Sequence, residues 1–476
     1  MKNREELWNR AEQWLDAHKD ELIRDLSDFV NIRSVSRSDL AAPGAPFGEE
    51  NAEMLKFALK RVSEYGFSVK NGNGYYGTAH AGDDGNAIGL IAHLDVVPEG
   101  VNWIYPPYQA TLQGDFLFGR GSGDNKGSAM AALYVMRMIR DLNLPLRHGL
   151  RLILGVSEET GMQDMDEYLK NETPCKVTLV PDAAFPVCYA QKGSLTLHLS
   201  IPKGDGMAYF RGGEVDNMVP PLAECGLSLP AETVKKAFEK RGFTAPDYEI
   251  LPDGAAVRVI AHGASAHAAG PEAGKSAVYM LSKALAETGL LGGESLSAME
   301  AVSRLTGCIY GESLNICAED ADTGRTTAVV GIAKTEKNRI VVHVDSRLSA
   351  AAESGRAKAA ACESAGKLGF TVDFADATDP VYMPKDDPRV QALQSVYAEC
   401  TGDAKAPYTM GGGTYSRRVP DAITFGLSFP GPKPRPEGLP EGHGSAHAPD
   451  EYVHIPSLLK AAKIYLFSVL ALDEIV

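Results

Sequence analysis

Cysteine is scarce: Cys175, Cys188, Cys225, Cys308, Cys317, Cys362 and Cys400 make an odd set, widely scattered, with no C-x-x-C pair. That spacing excludes a disulfide framework or a zinc knuckle and points to a reducing compartment. No run approaches the roughly 18 uninterrupted apolar residues of a membrane span, and the charged first ten residues lack the apolar core of a signal peptide. The expectation is a cytoplasmic protein with no membrane partner. Basic residues are outnumbered, 47 to 62, and never gather into a face that displaces counterions from phosphates, so nucleic acid is excluded as a partner. What remains is an ordinary globular composition over 476 residues, 44 % hydrophobic and 23 % charged. At roughly 100–200 residues per domain it supplies about two to four folding units.

Leu7, Trp8, Ala11, Trp14, Leu15, Leu22, Leu26 and Phe29 recur at three- and four-residue steps, which predicts an amphipathic N-terminal helix, followed by a second over 51–64. Apolar runs at 87–92, 150–156 and 177–180 then alternate with helical patterns at 128–140 and 162–170. Such alternation predicts an α/β domain with a mostly parallel sheet and helices on both faces. From Leu195 the texture changes to alternating strands at 194–201, 255–261, 327–333 and 339–345 with helical stretches at 231–240, 276–288 and 353–369. We read residues 193–380 as an inserted α+β lid, built as two α+β halves. The catalytic domain is discontinuous, 1–192 and 381–476, and ends in a helix over 455–472; residues 431–442, rich in Pro and Gly, form an irregular loop.

Chemistry gathers at the strand ends. His93 and Asp95 are two apart, so they point the same way, and a carboxylate beside an imidazole fixes its tautomer for a metal. The glycines of Gly119-Arg-Gly-Ser-Gly-Asp124-Asn-Lys-Gly127 are not at nucleotide-cradle spacing; Asp124 is either a helix N-cap or a ligand. Ser157-Glu158-Glu159-Thr160-Gly161 sets two carboxylates side by side after a central strand, and Pro181-Asp182 ends the next. Ligand crevices of open α/β sheets lie at the carboxyl ends of strands, where all of these fall. His447, in the stretch 445–451, is a further candidate, while His443 and His454 read as surface histidines.

Taken in order with Gly263-Ala-Ser-Ala-His267-Ala, Asp345-Ser-Arg347 and Gly411-Gly-Gly-Thr-Tyr-Ser-Arg417, these motifs give the chain a clear likeness. It resembles the co-catalytic metallopeptidase family of aminoacylases, carboxypeptidase G-type enzymes and dipeptidases, and within it the PepV-type bacterial dipeptidases. One departure is Tyr415, where many members carry Asp. The resemblance implies two divalent ions, Zn or Mn with Co also suited, bridged by Asp124. His93 and Asp182 complete one ligand set; Glu159 and His447 complete the other. Glu158 is then the general base, Asp95 orients His93, and a cis peptide joins Asp124 to Asn125. Charge counting agrees: three carboxylates leave one of four positive charges uncompensated, and Glu158 need bind no metal to accept a proton from attacking water.

In the lid, the resemblance makes His267 the donor to the developing oxyanion, assisted by Asn217, and gives Arg347 the substrate carboxylate. Arg347 can instead be an ion-pair partner of Asp345. Gly412, Gly413 and Thr414 belong to a loop whose backbone N–H groups suit the same carboxylate. The expected activity is hydrolysis of short unblocked peptides by a monomer. The alternatives are an N-acyl or N-succinyl amino acid deacylase and an inactive metal-binding scaffold, the latter disfavoured by Glu158, a base that a binding site has no need of.

Overall fold

The computed structural model describes residues 2–254 and 256–476, Lys2 and Asn3 by backbone only. The strand expected at 255–261 therefore starts on a residue outside the description and is seen as Ala256–His262. The chain divides into two compact units, 1–189 with 383–408 and 414–476, and 190–382 with 409–413.

In the first unit, the central strands are apolar throughout because both of their faces are covered. Ala87–His93, Gly149–Gly155 and Val177–Val180 are buried at every position. The sheet order runs Ser68–Asn71, Tyr76–Ala81, Gly149–Gly155, Ala87–His93, Val177–Val180, Ala422–Phe425, Val187–Gln191. The middle four strands are parallel and the flanking ones antiparallel. Helix Lys126–Asp141 packs against Ala87–His93, whereas Met165 and Tyr168 of helix Gln163–Asn171 join Ile91, Ile153 and Val180 in a separate core. Helix Ile455–Asp473 is long and apolar enough to cross a membrane on length and composition alone, although Lys460 and Lys463 interrupt it. Two thirds of its most apolar window is buried, against Lys126–Asp141 and Pro388–Thr401.

The second unit has one eight-stranded antiparallel sheet, in the order Tyr248–Asp253, Ala256–His262, Leu222–Leu227, Tyr209–Gly212, Thr327–Glu336, Arg339–Leu348, Gly193–Pro202, Thr371–Thr378. Within it, Tyr209–Gly212 joins Thr327–Glu336 through a ladder of only Arg211 with Lys334 and Gly212 with Ala333. Leu195, Leu197, Leu199, Val342 and Val344 face the helices Ala277–Glu287, Gly293–Thr306 and Ser354–Lys367 in a single core. Period-two alternation puts Thr196, His198, His343, Asp345 and Arg347 on the other face.

Residues 409–413 differ from the sequence boundary, which assigned them to the catalytic domain. Hydrogen bonds explain the shift: Thr409 Oγ1 donates to the Asp322 carbonyl, Lys192 N to the Met410 carbonyl at 3.0 Å, and Arg347 Nη1 to the Gly411 carbonyl at 3.4 Å.

Candidate metal centre and active site

Three strands, the loop before helix Lys126–Asp141 and the loop before strand Tyr452–His454 deliver the first unit's acids and imidazoles to one site. His93 is 1 % exposed, and its Nδ1 donates to the Asp95 carbonyl at 2.9 Å. A carbonyl only accepts, so the neutral imidazole keeps its lone pair on Nε2. That atom lies 3.1 Å from Asp124 Oδ1 and 3.8 Å from Asp182 Oδ1. The other oxygen of Asp124, Oδ2, lies 3.3 Å from His447 Nε2, which is also 2.9 Å from Glu159 Oε1. Each oxygen of the Asp124 carboxylate thus serves a different imidazole. The N-cap alternative fails, because the helix is preceded by Asn125 and no side chain caps it. The peptide between Asp124 and Asn125 is cis.

Candidate ligand atoms converge in two groups, His93 with Asp124 and Glu159, and His93 with Glu158 and Asp182, the atoms of each lying within 4.8 Å of one another. Among the described residues, no lysine or arginine forms an ion pair with these carboxylates. Their electrostatics show the deficit. Burial, with the Asp124 and Glu159 charges close by, pushes Asp182 up to about 8 despite His93. Burial and the Asp182 charge hold Glu158 well above the usual carboxylate range. Burial opposes it, yet hydrogen bonds from His447 and from His93 in its protonated form, which the surrounding carboxylates favour, keep Asp124 below that range. Hydrogen bonds to Asp124 and Glu159 lift His447 to about 10. A set of two imidazole nitrogens and several carboxylate oxygens with no protein cation fits divalent ions with N/O preference.

Several contacts that hold this geometry escaped the sequence reading. The Asp95 carboxylate accepts from Glu158 N at 3.1 Å and Glu159 N at 3.0 Å, so it holds the turn that presents both acids. Its Oδ1 is 3.5 Å from His93 Nδ1, whose hydrogen bond goes to the Asp95 carbonyl instead. Asp164, fully buried, accepts from Val156 N, Ser157 N and, at 2.5 Å, from Tyr415 Oη. Tyr415 also stands edge-on to His93, ring centroids 6.3 Å apart. Asn125 Nδ2 donates to Asp182 Oδ1 at 2.8 Å while its Oδ1 accepts from His93 N. Glu451 accepts from Gly123 N and Asp124 N and pairs at 2.6 Å with Arg120, which donates to the carbonyls of His447 and Ala448. Arg120 and Glu451 therefore couple the Asp124 loop to the His447 loop. Both sit inside quoted motifs, next to candidate ligands, and that adjacency was the available signal. His443 is not the surface residue expected, since Asp450 holds its Nδ1 at 2.6 Å; His454 is likewise half-buried, against Ser457.

In the second unit, His267 is exposed, and its Nδ1 accepts from Ala269 N at 3.1 Å. The neutral ring then carries its proton on Nε2, free to donate. Asn217 lies on the neighbouring loop, its carbonyl accepting from Ala268 N at 2.9 Å. Arg347 makes the bidentate pair with Asp345, at 2.8 and 2.9 Å. Gly412 and Gly413 belong to this unit. Thr414 belongs to the first; it is 2 % exposed, and its hydroxyl bonds Ser416 and Thr424.

Convergent N/O ligands at the carboxyl edge of a parallel sheet, with an acid to spare, define a metal-dependent hydrolase. The profile of peptidase family M20/M25/M40 matches residues 89–470, and the chain belongs to that family of metallopeptidases. A Bacillus subtilis protein named "Putative dipeptidase YtjP" is 32 % identical over 457 residues, 94 % of this chain and 96 % of its own. A Staphylococcus aureus protein named "Putative dipeptidase SAB1611c" is 27 % identical over 469 residues, 96 % and 97 % of the two chains. The crystal structure of human carnosine dipeptidase 1 shares the fold, with a TM-score of 0.57 at 14 % identity over 98 % of this chain and 100 % of that one.

Proposed function

We propose that the protein is a dipeptidase that hydrolyses the peptide bond of short unblocked peptides. The observation that carries the reading is the Asp124 carboxylate, with one oxygen toward His93 and the other toward His447, while Glu158 gathers with His93 and Asp182. The names of the two bacterial relatives agree. His93, Asp124 and Asp182 would hold one divalent ion and Asp124, Glu159 and His447 the second, Zn or Mn in identity. When bound, the ions polarise the scissile carbonyl and lower the pKa of water. Glu158, gathered with His93 and Asp182, takes the proton that water loses and passes it to the leaving amine. Asp95 and Asp164 keep the turn that bears it in place. His267, with its proton on Nε2, donates to the developing oxyanion, a contribution of about 2.7–4 kcal/mol for one preorganised donor. Asn217 assists it. Arg347 and the Gly412–Gly413 backbone receive the substrate carboxylate. The chain works as a cytoplasmic monomer.

The test is a panel of dipeptides against N-acetyl and N-succinyl amino acids, with and without added Mn²⁺ or Zn²⁺. Metal-dependent cleavage of dipeptides alone supports the reading; preference for the acylated amino acids, or no turnover of either class, overturns it.

A further inference from the structure

On the same face of the second unit's sheet as Arg347, four residues before it on Arg339–Leu348, three side chains that no step above uses come together. His198 and His343 are cross-strand partners on Gly193–Pro202 and Arg339–Leu348, and their rings stack with centroids 4.0 Å apart and planes 18° apart. His343 Nδ1 lies 2.9 Å from Asp216 Oδ1, and one ligand atom from each of the three falls within 4.8 Å of the others. Asp216 pairs with no lysine or arginine among the described residues.

The backbone around the cluster is irregular on both sides. Against Thr327–Glu336, the register slips between Val330 and Ile332, leaving Gly331 as an extra residue beside His343. A Cβ on Gly331 would lie 2.0 Å from the Asp216 carbonyl oxygen, so glycine at the bulge is what lets the Asp216 loop lie there. Against the edge strand Thr371–Thr378, the register slips between His198 and Leu199, leaving Asp373 unpaired, and its charge is felt at His198. Bulges re-aim side chains and concentrate beside sites. Here two of them flank one pair of imidazoles.

We propose that His198, His343 and Asp216 form a binding site for one divalent transition-metal ion, separate from the centre built on Asp124. Two imidazoles and a carboxylate select Zn²⁺, Ni²⁺ or Cu²⁺ over Mg²⁺ or Ca²⁺. Ligation at about 2.0–2.1 Å draws the two rings' nitrogens together by small side-chain rotations. The three protein ligands leave a fourth position to water. The ion clasps the loop that follows Tyr209–Gly212 to the sheet. That loop carries Asn217 next to Asp216, and it is bridged to the His267 segment through Met218 with His267, Ala268 N with the Asn217 carbonyl and Val219 N with the Ala266 carbonyl. Occupancy thereby stiffens the segment bearing Asn217 and His267.

Zn²⁺ alone is the probe. The metal-stripped full chain is reloaded and freed of excess, and bound zinc is counted by mass spectrometry for the wild type, H198N/H343Q and D216N, each checked by circular dichroism. The wild type should keep one Zn²⁺ per chain more than the double variant, and D216N should bind that ion at least tenfold more weakly in calorimetric titration. Equal zinc in the wild type and the double variant, or full affinity in D216N, overturns the site. Counting by difference makes the result independent of how many ions the Asp124 centre holds. D216N changes one exposed carboxylate, so it remains informative if the double variant misfolds. Added Zn²⁺ should also slow amide exchange over residues 213–219 in the wild type; unchanged exchange overturns the clasp.

Discussion

Glu158 and Glu159 are neighbours in sequence, yet the structure separates their work. Glu159 meets His447 at 2.9 Å, whereas Glu158 faces Asp182 and is pushed toward protonation. Glu158→Gln should lower kcat by about 10²–10⁴ with metal content nearly unchanged; a kcat measured beside a metal count checks it. Tyr415 and Asp164 allow a second expectation. Burial raises Asp164 to about 7 from an ordinary 3.8, so the folded protein holds this proton more tightly than the unfolded chain. Stability therefore falls as pH rises from about 4 to about 7 and levels off above. The Tyr415 hydroxyl favours the ionised form, so Tyr415→Phe should cost more at pH 8 than at pH 4.5, about 1–3 kcal/mol at the higher value by denaturant unfolding. Most candidate ligands were legible because they end an apolar run or sit in a glycine-rich motif, whereas His447, in Ser445-Ala-His447-Ala-Pro-Asp-Glu451, was legible only through the family resemblance. The groups that hold them were not. Asp164 reaches Tyr415 across 251 positions and Arg120 reaches Glu451 across 331, and nothing in local sequence announces such bonds.

At the scale of elements, continuous apolar runs were easy to read, whereas Val187–Gln191 and Ala422–Phe425 were missed although fully buried, as were exposed strands. Ala87–His93 and Gly149–Gly155 carry continuous apolar runs, whereas Tyr209–Gly212 is four residues long and Thr371–Thr378 is an edge strand with no buried position. Helix Gly293–Thr306 was missed because it starts with glycine and mixes Ser, Ala and Glu among its core positions. The end of Gly149–Gly155 carries a packing demand of its own. A Cβ on Gly155 would lie 1.9 Å from Tyr415 Oη and 2.6 Å from Asp164 Oδ2, both buried. Gly155→Ala must displace either the strand end or the buried pair, and overpacking of this kind costs typically 1–3 kcal/mol. Denaturant unfolding should show that loss, and kcat should fall with it, because the turn bearing Glu158 follows directly.

For the whole molecule, the ligands sit in the first unit, so metal is worth stability there. An ion free at a thousand times its Kd stabilises the state that binds it by about 4 kcal/mol, and a unit of this size loses roughly 2–4 °C per kcal/mol. Stripping the protein with chelator should lower the melting transition of the first unit by roughly 10 °C in calorimetry, and Asp124→Ala should show no such response. The division of the chain has a further consequence in time. Residues 190–382 form one uninterrupted stretch with a core of their own, while the first unit needs Ala422–Phe425, His447, Glu451 and Ile455–Asp473 from the far end. During synthesis the inserted unit is free to fold on the ribosome while the first waits. The last ligand and the Glu451 that secures the Asp124 loop emerge only after the whole inserted unit, so the candidate metal centre closes once that unit has already been made.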